Sequence, residues 1–298
     1  MARQGRALVV LALVVVACGG PKPVPPPAGA PATGSPTEVP TTQPAPQPSV
    51  PPSVPPTRPP TGARVAVPVY YVAETPAGPR LQREFHSVVT DDPASAAVRE
   101  MLAGPTGVDP DYRTYWPPGT ALREPVRREG GAIVVDLTGA GAARMGERLA
   151  ELTVQQLVFT VQGALQATDP LRILVDGAPV RDLWGVDVSA PVRRGDPYAL
   201  RSLVQIDSPA DGARVGRQVE VRGEAAVFEA TVLWEVLRGA EVVQRGVAGT
   251  AEGQRFAPFA FTVTLEPGEY AVRITEDDPS DGEGRPVLSD DKTITVAG

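Results

Sequence analysis

Arg193-Arg194-Gly195-Asp196-Pro197 is the point at which the chain changes its hydrophobic period. Upstream of it apolar residues recur at helical spacing in places, whereas downstream they alternate one by one to the end of the chain. A polar stretch carrying Gly and Pro between two such regimes reads as a linker. It divides an α+β domain, residues 64–198, from an all-β domain, residues 199–298.

Working back from the junction, Leu171 to Val175 reads as a strand closed by an Asp176-Gly177 turn, with Asp169-Pro170 ending a helix before it. That helix carries Val154, Leu157, Val158, Val161 and Leu165 on one face. Thr153 followed by Gln156 fits a capping box at its start; whether Met145 to Leu152 belongs to the same helix stays open. Leu122 to Glu129 and Ala132 to Leu137 flank Gly130-Gly131 as a hairpin. Ile133, Val135 and Leu137 would face inward, and Val134 implies that the second face is partly covered too. Further back, Asp92-Pro93 supplies an N-cap and first helical residue, Val98, Met101 and Leu102 an apolar face, and Gly104-Pro105 a stop. Arg64 to Val72 and Leu81 to Val89 are strands, and Pro68 argues for an edge position. The domain is a small sheet with two helices packed on it.

Beyond the junction, Val219 and Val221, Val232 to Val236, Phe259 to Leu265, Tyr270 to Ile274, and Ile294 to Val296 all alternate with polar partners. Short, regular strands with Gly-rich turns predict a β-sandwich. Trp234 is expected in its core, and Pro267-Gly268-Glu269-Tyr270 is expected to turn a hairpin.

Four motifs of the first domain carry a resemblance: Pro118-Gly119-Thr120, Gly131 to Thr138, Gln155 to Val161, and Ile173-Leu174-Val175-Asp176-Gly177. Together they resemble the GerMN domain of sporulation and spore germination proteins over about residues 64 to 185, departing from it in the polar Ala167-Thr168-Asp169 connection. Ser208-Pro209-Ala210-Asp211-Gly212, Gly223-Glu224-Ala225 and Pro267 to Tyr270 resemble the immunoglobulin-like domain that follows GerMN in bacterial lipoproteins. The resemblance implies a role in sporulation, germination or envelope maintenance, and its motifs define a fold rather than an activity.

The N-terminus is read independently. Arg3 and Arg6 precede the apolar run Ala7 to Val16, too short to span a bilayer, and residues 1–17 form a signal peptide. Val15-Val16-Ala17-Cys18 resembles the lipobox of bacterial lipoproteins, so Cys18, the only cysteine, is expected to be lipidated and to hold the protein on the membrane. Residues 18–63 follow as a disordered linker. Pro21 to Thr61 hold 17 of the 35 prolines and almost no charge, a composition that buries no core. Fully extended it would reach about 130 Å at ~3.1 Å per residue, a tether holding the folded part away from the anchor.

The net charge of −7 is unevenly placed, −3 over residues 64–198 and −8 over 203–298, so no basic footprint for nucleic acid exists. No cofactor is implied. His86, the only histidine, is expected to be a plain strand residue; no Gly-x-Ser-x-Gly elbow accompanies it. Asp91-Asp92, Asp109 and Asp111, and Asp136 with Asp176 are the candidate acid–base pairs for a glycan, each with a competing role as cap, loop residue or strand end. The loop from Glu276 to Glu283 fails the EF-hand template, which would place Pro279 at its third ligand and Leu288 at its bidentate glutamate, and reads as a solvated hairpin loop. Tyr112, Tyr115 and Trp116 form the one aromatic patch outside regular alternation, able to meet a partner or to cover a sheet end. These features converge on a non-enzymatic, membrane-anchored extracytoplasmic lipoprotein whose partner is an envelope protein or cell-wall polymer. The alternative is a cell-wall hydrolase or an accessory that positions one.

Overall fold

The computed structural model describes residues 62–104, 109–141, 143–278 and 283–298. The expected signal peptide, the expected lipidation site Cys18 and the Pro-rich segment lie outside the described residues.

The first domain runs β1 (Ala63–Ala73), β2 (Arg80–Thr90), α1 (Pro93–Ala103), β3 (Tyr112–Arg113), β4 (Ala121–Leu122), β5 (Arg127–Glu129), β6 (Ala132–Thr138), α2 (Glu147–Leu165), β7 (Leu171–Val175), β8 (Ala178–Pro179), β9 (Asp182–Leu183), β10 (Val186–Asp187) and the one-turn α3 (Pro197–Leu200). One sheet has the order β2-β1-β3; a second has β4-β6-β7-β8, with β5 also on β6. The turns follow from their residues. Gly130 and Gly131 both take positive φ (59° and 76°), which a two-residue hairpin of this hand requires. Asp92 caps α1 by accepting from the Ser95 N–H at 3.1 Å, and Pro93 follows at N1.

α2 is one helix from Glu147, with Gly146 at its N-cap. Thr153 and Gln156 are therefore not a capping box. The Thr153 hydroxyl bonds back to the Leu149 carbonyl within the helix, and Gln156 donates 2.8 Å to the Tyr70 carbonyl of β1. The reason is burial: every residue from Leu152 to Gln162 is buried, so the helix has no solvent face along that length. Its apolar residues meet both sheets, Val154, Leu157, Val158 and Val161 joining Val69 and Tyr71 of β1 and Ile133, Val135 and Leu137 of β6. Its polar residues satisfy backbone. β3 covers only Val72 and Ala73 of β1, so the rest of that edge is open, as Pro68 implied. There Thr160 accepts from the Tyr70 N–H at 3.1 Å while Gln156 binds its carbonyl, a helix standing in for a missing strand.

The second domain comprises β11 (Val204–Ser208), β12 (Ala213–Val215), β13 (Gln218–Ala225), β14 (Thr231–Arg238), β15 (Glu241–Gly249), β16 (Ala257–Thr264), β17 (Gly268–Glu276) and β18 (Ser289–Val296). It is a sandwich of β11-β13-β16 on β12-β18-β17-β14-β15, with the alternating valines, Phe259, Tyr270, Ile274 and Ile294 between the sheets. Pro267 to Tyr270 does not turn a hairpin: β16 and β17 lie in different sheets, and the segment carries the chain across the sandwich. Trp234 is half-buried at the margin of the core, stacked on Phe261 at 4.9 Å and 9°, and Gly246 leaves room for its ring.

The junction is bolted down rather than loose. Gln155 of α2 donates to the Arg193 carbonyl and accepts from the Gly195 N–H, both at 3.0 Å, while Gln162 accepts from Arg194 at 2.7 Å. The Arg194 guanidinium also lies 4.6 Å over the Phe159 ring.

Candidate functional site

Both domains belong to one compact unit, and the titratable side chains concentrate where they meet. Alternation along β18 turns Asp290, Lys292, Ile294 and Val296 to the same, inner face. Ile294 and Val296 join the sandwich core; Asp290 and Lys292, nearer the first domain, are buried against it. The Lys292 ammonium donates to Asp109, which precedes β3, and 2.7 Å to the Tyr112 hydroxyl, and it lies 3.3 Å from Asp290. It also stands 4.2 Å over the Tyr112 ring. Asp290 accepts the Ile206 N–H at 2.6 Å and Asp109 the Asp111 N–H at 2.9 Å.

One ammonium thus faces two buried carboxylates. Burial pushes Asp290 up to about 6 despite Lys292 beside it. Asp109 is raised for the same reason, with Lys292 opposing. Burial pulls Lys292 down, but the two aspartates outweigh it and hold the amine above its usual value. Tyr112 is raised well above the ordinary tyrosine range by complete burial and the surrounding carboxylates.

Adjoining this cluster, His86 holds Glu100 at 2.8 Å through Nδ1 and Glu84 at 3.2 Å through Nε2. Burial lowers the imidazole pKa, but both glutamates raise it further, for a net upward shift. His86 is therefore more than a plain strand residue. A crevice of about 70 Å³ lies between the domains, lined by Glu84, His86, Ile206, Asp207 and Lys292 among others.

A second set of contacts completes the seam. Arg83 of β2 makes a bidentate pair with Asp207 at 3.1 and 2.7 Å and reaches Glu224 at 3.2 Å, while Arg201 meets Glu224 at 2.6 Å. The Asp207 pair more than offsets the burial of Arg83 and raises its pKa; for Glu224 burial is outweighed by Arg201 and Arg83, which lower it. The Ser202 N–H donates 2.9 Å to the Leu81 carbonyl, and Arg80 donates 2.8 Å to the Tyr198 carbonyl.

The other sequence candidates are dispersed. Asp136 is buried between Arg123 and the Gly177 N–H, Asp176 accepts from the Thr138 hydroxyl, and Asp91 is exposed on a turn. Glu276 is not part of a solvated loop: it is buried, paired with Arg285 at 2.5 and 2.6 Å and bound by the Leu288 N–H. Tyr112 and Trp116 are buried in the core of the first domain, Trp116 edge-on to Trp184 at 5.1 Å, so neither offers its face to a partner; Tyr115 alone is half-exposed. Lys292, Asp290, Arg83, Arg201 and Glu224 escaped the sequence reading. For Lys292 and Asp290 a signal existed, since they share the parity of Ile294 and Val296.

A family model described as sporulation and spore germination matches residues 68–181, and one described as the immunoglobulin-like domain of bacterial spore germination matches residues 203–283. The chain carries a GerMN domain followed by a germination-type immunoglobulin-like domain. The first match falls on the α+β unit from within β1 to just past β8, and the second on the sandwich from just before β11 to just past β17. Among solved structures, the tandem GerMN domains of the sporulation protein GerM from Bacillus subtilis are similar at 18% identity and a TM-score of 0.35, covering 45% of this chain and 45% of that one. The chain therefore spans less than half of that structure. A Clostridium perfringens protein put forward as a lipoprotein aligns at 18% identity and 0.32, over 46% of this chain and 93% of that one. CopC from Methylosinus trichosporium aligns at 23% and 0.23, over 31% and 92%. No curated protein sequence matches the chain.

Proposed function

We propose that this is a lipid-anchored extracytoplasmic protein in which the GerMN and immunoglobulin-like domains act as one non-enzymatic body for binding and assembly in the envelope. The observation that supports this most is the seam: Arg83 of the first domain pairs across it with Asp207 and Glu224 of the second, and Arg201 holds Glu224 from the second domain's own side. A joined pair presents two surfaces at a constant spacing, which suits an assembly part. The lipobox-like Cys18 and the Pro-rich tether supply the anchor and the reach.

Two measurements test the reading. Cys18→Ala should move the protein from the membrane to the soluble fraction, and unchanged membrane association would overturn the anchor. Incubating the full chain with peptidoglycan should retain it on the polymer, or on an envelope protein in cross-linked cells, without turnover. Release of muropeptides would overturn the non-enzymatic part.

A further inference from the structure

Lys22 and Lys292 are the only lysines among 28 basic residues. Everywhere else in the described residues this chain uses arginine, including the buried pairs at Arg83 and Arg201, where a planar guanidinium is well suited to carboxylates. Lys292 is the exception, and it is the most enclosed of the three, its side chain 2% exposed. What an amine can do that a guanidinium cannot is lose a proton and act as a nucleophile; the aspartates hold the proton on Lys292, so it reacts only by passing that proton to the carboxylate beside it.

The acceptor is in place. Lys292 Nζ is hydrogen-bonded to Asp109 Oδ2, one bond from the Cγ carbon, and is steadied on its other side by the Tyr112 hydroxyl at 2.7 Å. Asp290, 3.3 Å from the same nitrogen, is a second carboxylate with no amine of its own. We propose that Lys292 and Asp109 are joined by an isopeptide bond that covalently locks the immunoglobulin-like domain to the GerMN domain. Asp290 takes a proton from the ammonium and passes it to one oxygen of Asp109, the freed Nζ lone pair adds to Cγ, and a second proton leaves the nitrogen through Asp290 to that same oxygen as its C–O bond breaks and water departs. Ammonium and carboxylate become amide and one water, so no oxidant, reductant or further reactant is needed. The adjoining crevice of about 70 Å³ has room for the water released.

Two physical effects drive a condensation that is unfavourable between free groups in water. Holding the partners in contact replaces a bimolecular step by a unimolecular one, worth effective concentrations of about 10⁵–10⁸ M in well-oriented cases. Converting two buried ions to a neutral amide also removes charge from a low-dielectric site, where solvation of ions is poorest. Asp290, pushed up to about 6, keeps a proton at hand in mild acid.

Tryptic mapping of the denatured full chain decides the matter. The expected product is one branched peptide joining residues 100–113 to residues 274–298, lighter than the two together by one water and uncleaved after Lys292. Asp109→Ala should give the linear peptides. Asp290→Ala, which keeps both bonding partners, should slow or abolish the branch. If the wild-type chain, after prolonged incubation at pH 6 and at pH 8, yields only linear peptides cut after Lys292, the cluster is an ordinary buried ion pair and the proposal falls. This readout comes from the wild-type protein, so it stands even if a variant fails to fold.

Discussion

His86 shows how a single residue sets a pH response. Its two glutamate partners raise its pKa above the ordinary histidine value, so the folded state holds the proton more tightly than the unfolded chain. That stability is fully present below the unfolded pKa of about 6.5 and is lost as pH rises through the higher folded value. Asp290, raised to about 6, has the same sign: its contribution is complete below the usual carboxylate range and disappears as pH climbs past about 6. Glu224 opposes both at the acid end, its lowered pKa giving stability that disappears as pH falls below the usual glutamate range. Thermal melts should therefore peak in mild acid and decline as pH rises above about 6, and His86→Gln should flatten that decline; an unchanged slope would remove His86 from the account. Arg83 is the other residue whose loss should be felt. Arg83→Ala leaves Asp207 and Glu224 partly buried with one guanidinium fewer and should cost roughly 3 kcal/mol in chemical denaturation.

At the scale of elements, α2 carries the clearest test of how the GerMN domain holds together. Thr160→Val keeps the shape and adds hydrophobicity, yet it strands the buried Tyr70 N–H and should cost roughly 2 kcal/mol. A neutral or stabilising result would mean that the strand edge finds water instead. β1, β2, β6, β7, β13, β14, β16 to β18, the bodies of α1 and α2, the Gly130-Gly131 turn and the two-regime organisation were legible in the sequence because each rests on local periodicity or turn chemistry, whereas β11, β12 and β15 were not marked and the run Leu122 to Glu129 divides into β4 and β5. The start of α2 was not legible either. A helix buried all round carries its polar residues for the backbone of other elements, and Thr153 and Gln156 therefore imitated a cap. The crossing at Pro267 was hidden for a similar reason, since two alternating strands joined by Pro-Gly look alike whether they share a sheet or face each other across a core. The seam was hidden most. Asp109 was visible only as a loop carboxylate, and Arg83 and Lys292 carry no local mark of the second domain that is set against them.

For the whole molecule, the seam makes the two domains answer as one. Calorimetry of the full chain should give a single transition for GerMN and immunoglobulin-like domains, and the double change Arg83→Ala with Arg201→Ala should broaden or split it; two separate transitions in the wild type would show that the domains unfold independently. The long β1–β2 pairing adds a mechanical consequence. Its ladder runs from Ala63 opposite Thr90 to Ala73 opposite Arg80. A pull applied at Gly62 enters at one end of that ladder, whereas two of the attachments to the sandwich, Leu81 and Arg83, leave from β2 near the other. Tension along this path loads the rungs together in shear instead of unzipping them one at a time, so the hairpin works as a force-bearing splice.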